Sequence, residues 1–359
     1  KAGVYLLMRF TPVLGDTGFW NTTLIVVGGI TMLYSAVHTL FRTDLKGILA
    51  YSTISALGIL VFLIGLGTQA ALLAAAVFIV VHALYKATLF LVTGIIDHQT
   101  HTRDVTVLAG LRKIMMPVAI AGILAAISSA GIPPSIGFLG KELTYEASTH
   151  STTMVILIVA AIVITKILLL YAGFVAGIKP FTGKLPQKFE DVKMPGPLLW
   201  VPPLLLAVLG ILFGIFPAII ESSIIKPMVT ALGADASDIH LALWHGFNTV
   251  LVLSLITIGV GILLYFLLKP SAKLEAGIGK LEPISPKSIL EKLSHYFAVL
   301  SKFWTNVFQN GYLRNYVTTI IIFLVALVGY ILWGSPRLVI DHTKLSQVTA
   351  YDLVALILI

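Results

Sequence analysis

Two groups able to pass a proton stand one helical turn apart in an apolar run. They are His82 and Lys86, in Val81-His-Ala-Leu-Tyr-Lys86-Ala-Thr-Leu-Phe90. Residues four apart share a helix face. An imidazole changes charge near neutral pH, and burial favours the neutral form of an amine. Side by side they can take up and release a proton in turn. Two readings of the pair stand open: a proton relay, or a His and Lys satisfied by the carbonyls of neighbouring helices, tying the bundle together.

A second unit runs from Ala130 through Gly131-Ile-Pro133-Pro134-Ser-Ile-Gly137-Phe-Leu-Gly140 to Lys141-Glu142. Pro133 and Pro134 have no N–H to donate and leave carbonyls free one turn back. Loose backbone at membrane depth is tolerated only where protein or water meets it, and broken helices mark ion sites in transporters. The pattern predicts a broken helix beside an ion or proton site, with Lys141 and Glu142 just beyond the break. The competing reading has Lys141 at a helix end, its stem reaching up to the headgroups.

Further ionisable residues lie in apolar runs. Lys1 opens the chain inside one, and Lys166 sits in another that has no carboxylate, where it serves transport or faces a partner helix. His38 is expected to be a satisfied structural histidine. Lys46 is expected to anchor the start of its span, although Lys46-Gly-Ile-Leu-Ala-Tyr-Ser-Thr-Ile-Ser55 adds hydroxyls that can line a wet path. His98 and His101 have a loop-like metal spacing, but two histidines alone are weak grounds for a metal site. The sequence shows no glycine-rich phosphate loop in strand–loop–helix context and no haem-type histidine pair, so no cofactor or metal is expected.

Elements that hold these groups must cross a bilayer, which takes about 20 mostly apolar residues. Candidate spans are 20–41, 46–66, 69–96, 115–147 with its interruption, 152–178, 198–220, 246–268 and 316–333. The runs lack period-2 alternation, so they are helices rather than barrel strands. Runs 1–10 and 350–359 read as spans cut short at the two ends of the chain. Apolar residues in 288–308 recur at helical spacing, as in an amphipathic helix lying on a membrane or against a partner.

Composition agrees. The 359 residues are 58% hydrophobic and 11% charged, with mean hydropathy +0.99. Soluble domains carry about 25% charged residues, so a soluble enzyme, a nucleic-acid-binding domain and a disordered chain are all excluded. Cysteine is absent, which removes disulfides and thiolate chemistry. If each span crosses once, sixteen of the 24 Lys and Arg residues fall on one side and four on the other. The remaining four are Lys1, Lys86, Lys141 and Lys166. That asymmetry makes the rich side cytoplasmic and explains the net charge of +8 without a nucleic-acid partner.

The Lys46–Ser55, His82–Phe90 and Gly131–Glu142 segments resemble the antiporter-like membrane subunits of respiratory complex I and of Mrp-type multisubunit cation/proton antiporters. Within that family, Gly94-Ile-Ile-Asp-His-Gln-Thr-His-Thr-Arg-Asp104, Leu243-Trp-His-Gly246 and Asn310-Gly-Tyr-Leu-Arg-Asn315 are most similar to the large A subunit of the Mrp type. The resemblance implies two inverted five-helix repeats, with residues 1–10 ending the first and 20–178 forming the second. Peripheral spans (198–268, 316–333) flank a cytoplasmic loop with an amphipathic helix (269–315). It implies that Lys1 links two half-channels, that His82 and Lys86 continue the polar axis, and that Lys141 is its terminal lysine. Where some relatives have a second histidine, Phe78 stands here.

The resulting expectation is an all-α integral membrane protein, a polytopic bundle containing one five-helix inverted repeat with a broken helix. It would be one component of a hetero-oligomeric Na⁺/H⁺ antiporter in a bacterial cell membrane, with the lipid bilayer and other subunits as partners. Protons would pass along Lys1, His82, Lys86, Lys141 and Glu142, with Lys166, His38 and Lys46 accessory. Alternatives are a proton-pumping subunit of a redox complex, such as complex I or a membrane hydrogenase, and a purely structural scaffold.

Overall fold

Long apolar runs bounded by capping residues fold as helices because only a helix satisfies its own backbone groups in lipid. The computed structural model describes residues 1–15, 17–149, 155–237, 239–244, 246–279, 285–309, 311–333 and 349–351. Among them every regular element is helical, apart from a bridge between Asp44 and Asp104. The chain divides into two units, Lys1–Lys280 and Leu281–Ile359.

The first unit begins with α1 (Ala2–Leu14), α2 (Gly18–Thr39), α3 (Leu45–Leu66) and α4 (Gln69–Thr100). Asp44 caps α3 by accepting from the Gly47 N–H at 3.0 Å, and Thr68 caps α4 through the Ala71 N–H at 3.2 Å. At 32 residues, α4 spans about 48 Å. It packs against α3, α5 (Met116–Ala130), α6 (Ile136–Thr149) and α8 (Pro197–Ile215), so its side chains form the middle of the bundle. Next to it run α7 (Val155–Gly177) and α11 (Thr249–Leu267). Between α8 and α11 the chain forms α9 (Ala218–Ile220), a π-turn at Glu221–Ile225, and α10 (Lys226–Ala231). α12 (Ala272–Gly279) follows α11.

The predicted run 115–147 is two half-helices, α5 and α6. The run 198–220 stops as a regular helix at Ile215, because Pro217 cannot donate the next helical hydrogen bond. Six of the long apolar helices belong to this unit, and large apolar side chains such as Phe19 and Leu198 stand outward on its surface. In a membrane protein that outward shell is the lipid-facing one.

In the second unit, α13 (Pro286–Phe308) coincides with the amphipathic segment expected at 288–308, and α14 (Leu313–Trp333) is long and apolar enough to cross a bilayer. Ser285 caps α13 by accepting from the Ser288 N–H at 3.2 Å. Most of the short span expected at 350–359 lies outside the described residues.

Candidate functional site

Mid-way along α4, His82 and Lys86 point into the bundle. Lys86 is 6% exposed. Its Nζ donates to Ser52 Oγ at 2.5 Å and to the Leu49 carbonyl at 3.3 Å, both on α3. His82 is 1% exposed, and among the described residues neither ring nitrogen has a hydrogen-bond partner. Its ring meets Tyr85 edge-on and lies tilted against Phe78. A buried imidazole without a protein partner calls for water. One turn earlier, the Ile79 carbonyl accepts from Lys1 Nζ at 3.0 Å. Lys1 is exposed in the described chain, yet its ammonium reaches the same stretch of α4.

The break between α5 and α6 is built from its sequence. Gly131 has φ +64, the left-handed geometry that ends helices. Its N–H bonds to the Ser128 carbonyl at 3.0 Å, and the Ile132 N–H reaches back to the Ile127 carbonyl at 3.1 Å, which is a Schellman cap. Pro133 and Pro134 keep the helix from resuming before Ile136. At Gly137 the half-helices touch so closely that a Cβ would lie 1.7 Å from the Ser128 carbonyl oxygen. Lys141 then follows in the second turn of α6, with its stem packed against Gly131. It is 2% exposed, which removes the headgroup-reaching alternative. Its Nζ has no hydrogen-bond partner among the described residues and lies 5.4 Å from the Phe138 ring centre. Glu142, also buried, stands beside it.

α7 contributes a group whose surroundings the sequence left open. Lys166 is buried, and its Nζ sits 4.0 Å over the face of Phe78 on α4. It faces the bundle, not a partner helix. It lies within electrostatic range of His82 on one side and of Lys141 on the other. Phe78 thus supplies an aromatic face for an ammonium. The groups run from the exposed Lys1 to the buried Lys86 with His82, Lys166, then Lys141 with Glu142. Amines in mutual electrostatic range disfavour one another's charge, so a proton gained by one favours loss from its neighbour.

Two accessory residues, Lys46 and His38, lie at the start of α3 and the end of α2. Lys46, expected as an interfacial anchor, pairs with Asp97 at 2.8 Å and ties the start of α3 to the last turns of α4. Both are a third or so exposed or more, so the pair adds little energy. His38, expected to be satisfied, stacks on Tyr51 while its buried Nδ1 has no partner among the described residues. Around them Arg103 pairs with Asp44 at 3.0 Å, and Arg42 donates to Tyr51 and pairs with Glu275. Nothing local in the sequence marks Asp97 and Glu275, because their partners are 51 and 233 residues away.

A family model described as NADH:quinone oxidoreductase/Mrp antiporter, TM, matches residues 1–168. The A subunit of the Na(+)/H(+) antiporter of Alkalihalophilus pseudofirmus is 32% identical over 382 residues, covering 98% of this chain and 47% of that protein. The A1 subunit of the Na(+)/H(+) antiporter of Staphylococcus saprophyticus is 33% identical across 100% of this chain and 47% of its own length. The chain therefore spans about half the length of the curated relatives it matches. Among solved structures, the Mrp complex from Dietzia sp. superimposes with TM-score 0.77 and 32% identity over 100% of this chain and 38% of that one. An archaeal membrane-bound sulfane sulfur reductase complex, at TM-score 0.59 and 22% identity over 86% of this chain and 56% of that one, shares the fold. Along its whole length, broken helix and buried amines included, the chain is thus similar to the A subunits of bacterial Na(+)/H(+) antiporters, and its residues 1–168 match the NADH:quinone oxidoreductase/Mrp antiporter family.

Proposed function

We propose that this chain is one component of a hetero-oligomeric Na⁺/H⁺ antiporter of a bacterial cell membrane, and that it carries protons along Lys1, Lys86, His82, Lys166, Lys141 and Glu142. The observation that carries this reading is the gathering of three buried lysines, from α4, α6 and α7, around a histidine and a broken helix. A lysine at the centre of a membrane helix costs about 2.5–3.5 kcal/mol. Three such groups, Lys86 and Lys166 each in range of His82 and Lys141 in range of Lys166, make poor scaffolding and a serviceable relay. Its role is transport rather than catalysis: each group binds and releases a proton with no covalent step.

The names of the two bacterial relatives favour Na⁺/H⁺ antiport, and the shared family model keeps a redox-driven pump as the second reading. The composition of the purified complex separates them, since flavin and iron–sulfur partners belong to the redox assembly. The central test is Lys86→Ala and Lys141→Ala in the full complex. Each is expected to abolish cation-coupled proton flux in vesicles while the complex still assembles. Unchanged antiport with either substitution overturns the relay.

A further inference from the structure

Lys86 is held to α3 by a hydroxyl, not by a carboxylate. Its Nζ meets Ser52 Oγ at 2.5 Å and the Leu49 carbonyl at 3.3 Å. Ser52 Oγ itself donates to that carbonyl at 3.0 Å, and Thr53 Oγ1 does so at 2.7 Å. Three side-chain donors thus crowd one oxygen that has two lone pairs, and the Lys86 contact is the longest of them. Ser52 is therefore the principal partner of the amine. It is buried, and one turn further along α3 the Ser55 hydroxyl donates to the Met32 carbonyl of α2 at 2.8 Å. That bond sets the rotation of α3 and turns Ser52 toward α4.

The same two helices carry a second lysine contact of the opposite kind. Toward their cytoplasmic ends, Lys46 on α3 meets the Asp97 carboxylate on α4 at 2.8 Å. A carboxylate only accepts, so it favours the ammonium; a hydroxyl accepts from an ammonium and can donate to the lone pair of a free amine. With Lys86 protonated, Ser52 Oγ accepts from Nζ while its own hydrogen goes to Leu49, which matches the observed distances. With Lys86 neutral, a turn about the Cβ–Oγ bond points that hydrogen at Nζ, and no heavy atom moves. Ionisable groups in range of Lys86 are His82 on its own helix and Lys1 from α1, with Tyr85 beside it in sequence. Of the other elements packed against α4, α5 and α8 bring no ionisable group. α3 brings Lys46, already paired, and Tyr51; α7 brings Lys166 and Tyr171; α6 brings Lys141, Glu142, Tyr145 and Glu146. α10 and the π-turn bring Lys226 and Glu221, paired with each other at 2.9 Å.

We propose that Ser52 is a positioning residue of the relay, holding the Lys86 nitrogen in one place through both of its charge states. When the ammonium gives a proton to His82, an Nζ–H bond breaks and an imidazole N–H bond forms. The Ser52 hydrogen then turns from Leu49 to the freed lone pair of Nζ, and turns back when the proton returns. Ser52 keeps its own hydrogen throughout. It has this part only if Lys86 carries protons as proposed above, and the experiment distinguishes the two.

The experiment uses the whole antiporter complex in sealed vesicles, with proton flux recorded against pH. Ser52→Ala is expected to move the pH profile by about one unit toward acid, since an ammonium that loses an acceptor needs more acid to form. Ser52→Thr keeps the hydroxyl and is expected to keep the profile. Ser52→Asp puts a carboxylate where the hydroxyl was and is expected to lower flux by about tenfold or more across the pH range, as loss of a proton-transfer step does. Ser55→Ala is the control: it removes a hydroxyl from the same helix, one that bonds to α2 and not to Lys86, and should leave the profile in place. A serine that merely bonds back to its own helix predicts a wild-type profile in Ser52→Ala; that result, beside an inactive Lys86→Ala, overturns the part given to Ser52 and leaves the relay standing. Equal shifts in Ser52→Ala and Ser55→Ala, or a Ser52→Thr profile displaced as far as that of Ser52→Ala, overturn it too. An active Lys86→Ala overturns both.

Discussion

Gly137→Ala is the sharpest structural test of the break in the helix. The added Cβ would sit 1.7 Å from the Ser128 carbonyl oxygen and 2.6 Å from its carbon, both backbone atoms of α5. No rotamer change relieves a backbone contact. α6 must therefore retreat by about 1.3 Å before the separation reaches even 3.0 Å, a distance real Cβ atoms essentially never undercut. Lys141 and Glu142 are carried on the next turn of α6 and move with it. Overpacking of this kind costs about 1–3 kcal/mol, and a misplacement of about 1 Å can cost on the order of 100-fold in rate. Gly94→Ala on α4 is the matched control, since a Cβ there meets nothing within 4 Å and alanine is the better helix former. In vesicles holding the assembled complex, Gly137→Ala should lose about two orders of magnitude of proton flux and Gly94→Ala almost none. If Gly137→Ala assembled and transported like the unmodified protein, the close crossing of the half-helices would not be what positions Lys141.

Removing the aromatic face beneath Lys166, with Phe78→Leu, forfeits a contact worth about 0.5–2 kcal/mol. It should slow proton flux several-fold, whereas Lys166→Leu should stop it; full activity in Lys166→Leu removes that residue from the relay. Lys46→Ala and Asp97→Asn should each cost less than about 1 kcal/mol, so complex yield and melting temperature should hardly change; a large drop in either would show the pair to matter more than its exposure allows. Glu221, which accepts from the Leu241 N–H at 2.8 Å and pairs with Lys226 Nζ at 2.9 Å, has its folded pKa below the ordinary 4.5, so its stabilisation is complete above the unfolded value and is lost as pH falls through the folded one. The gap in melting temperature between the unmodified complex and Glu221→Gln should be constant near neutrality and close only in acid below about pH 4.5. A gap that instead narrowed as pH rose would contradict the ionised, hydrogen-bonded carboxylate.

Local pattern carried the course of the chain through the membrane. Hydropathy located the helices to within a few residues, and the Gly-Ile-Pro-Pro run marked the broken one, because both depend on backbone groups the segment itself must satisfy. The end of α8 at Ile215 was less legible: residues 216–220 stay apolar, and only Pro217 argues for a stop. Lys166 had no readable role, since a lone lysine in an apolar helix has the same sequence whether it faces lipid, a partner or the bundle.

Residue types and their spacing along one helix were enough to put His82 and Lys86 on a common face, and Lys141 with Glu142 just past the interruption, since 3.6 residues per turn set azimuth within an element. How helices cross is a property of several segments at once. Only that packing decided that Ser52 and Leu49 accept from Lys86, that Phe78 lies under Lys166, and that Glu221 accepts from the Leu241 N–H. Those partners are 20 to 88 residues apart in sequence, and no local periodicity encodes which face of one helix meets which face of another.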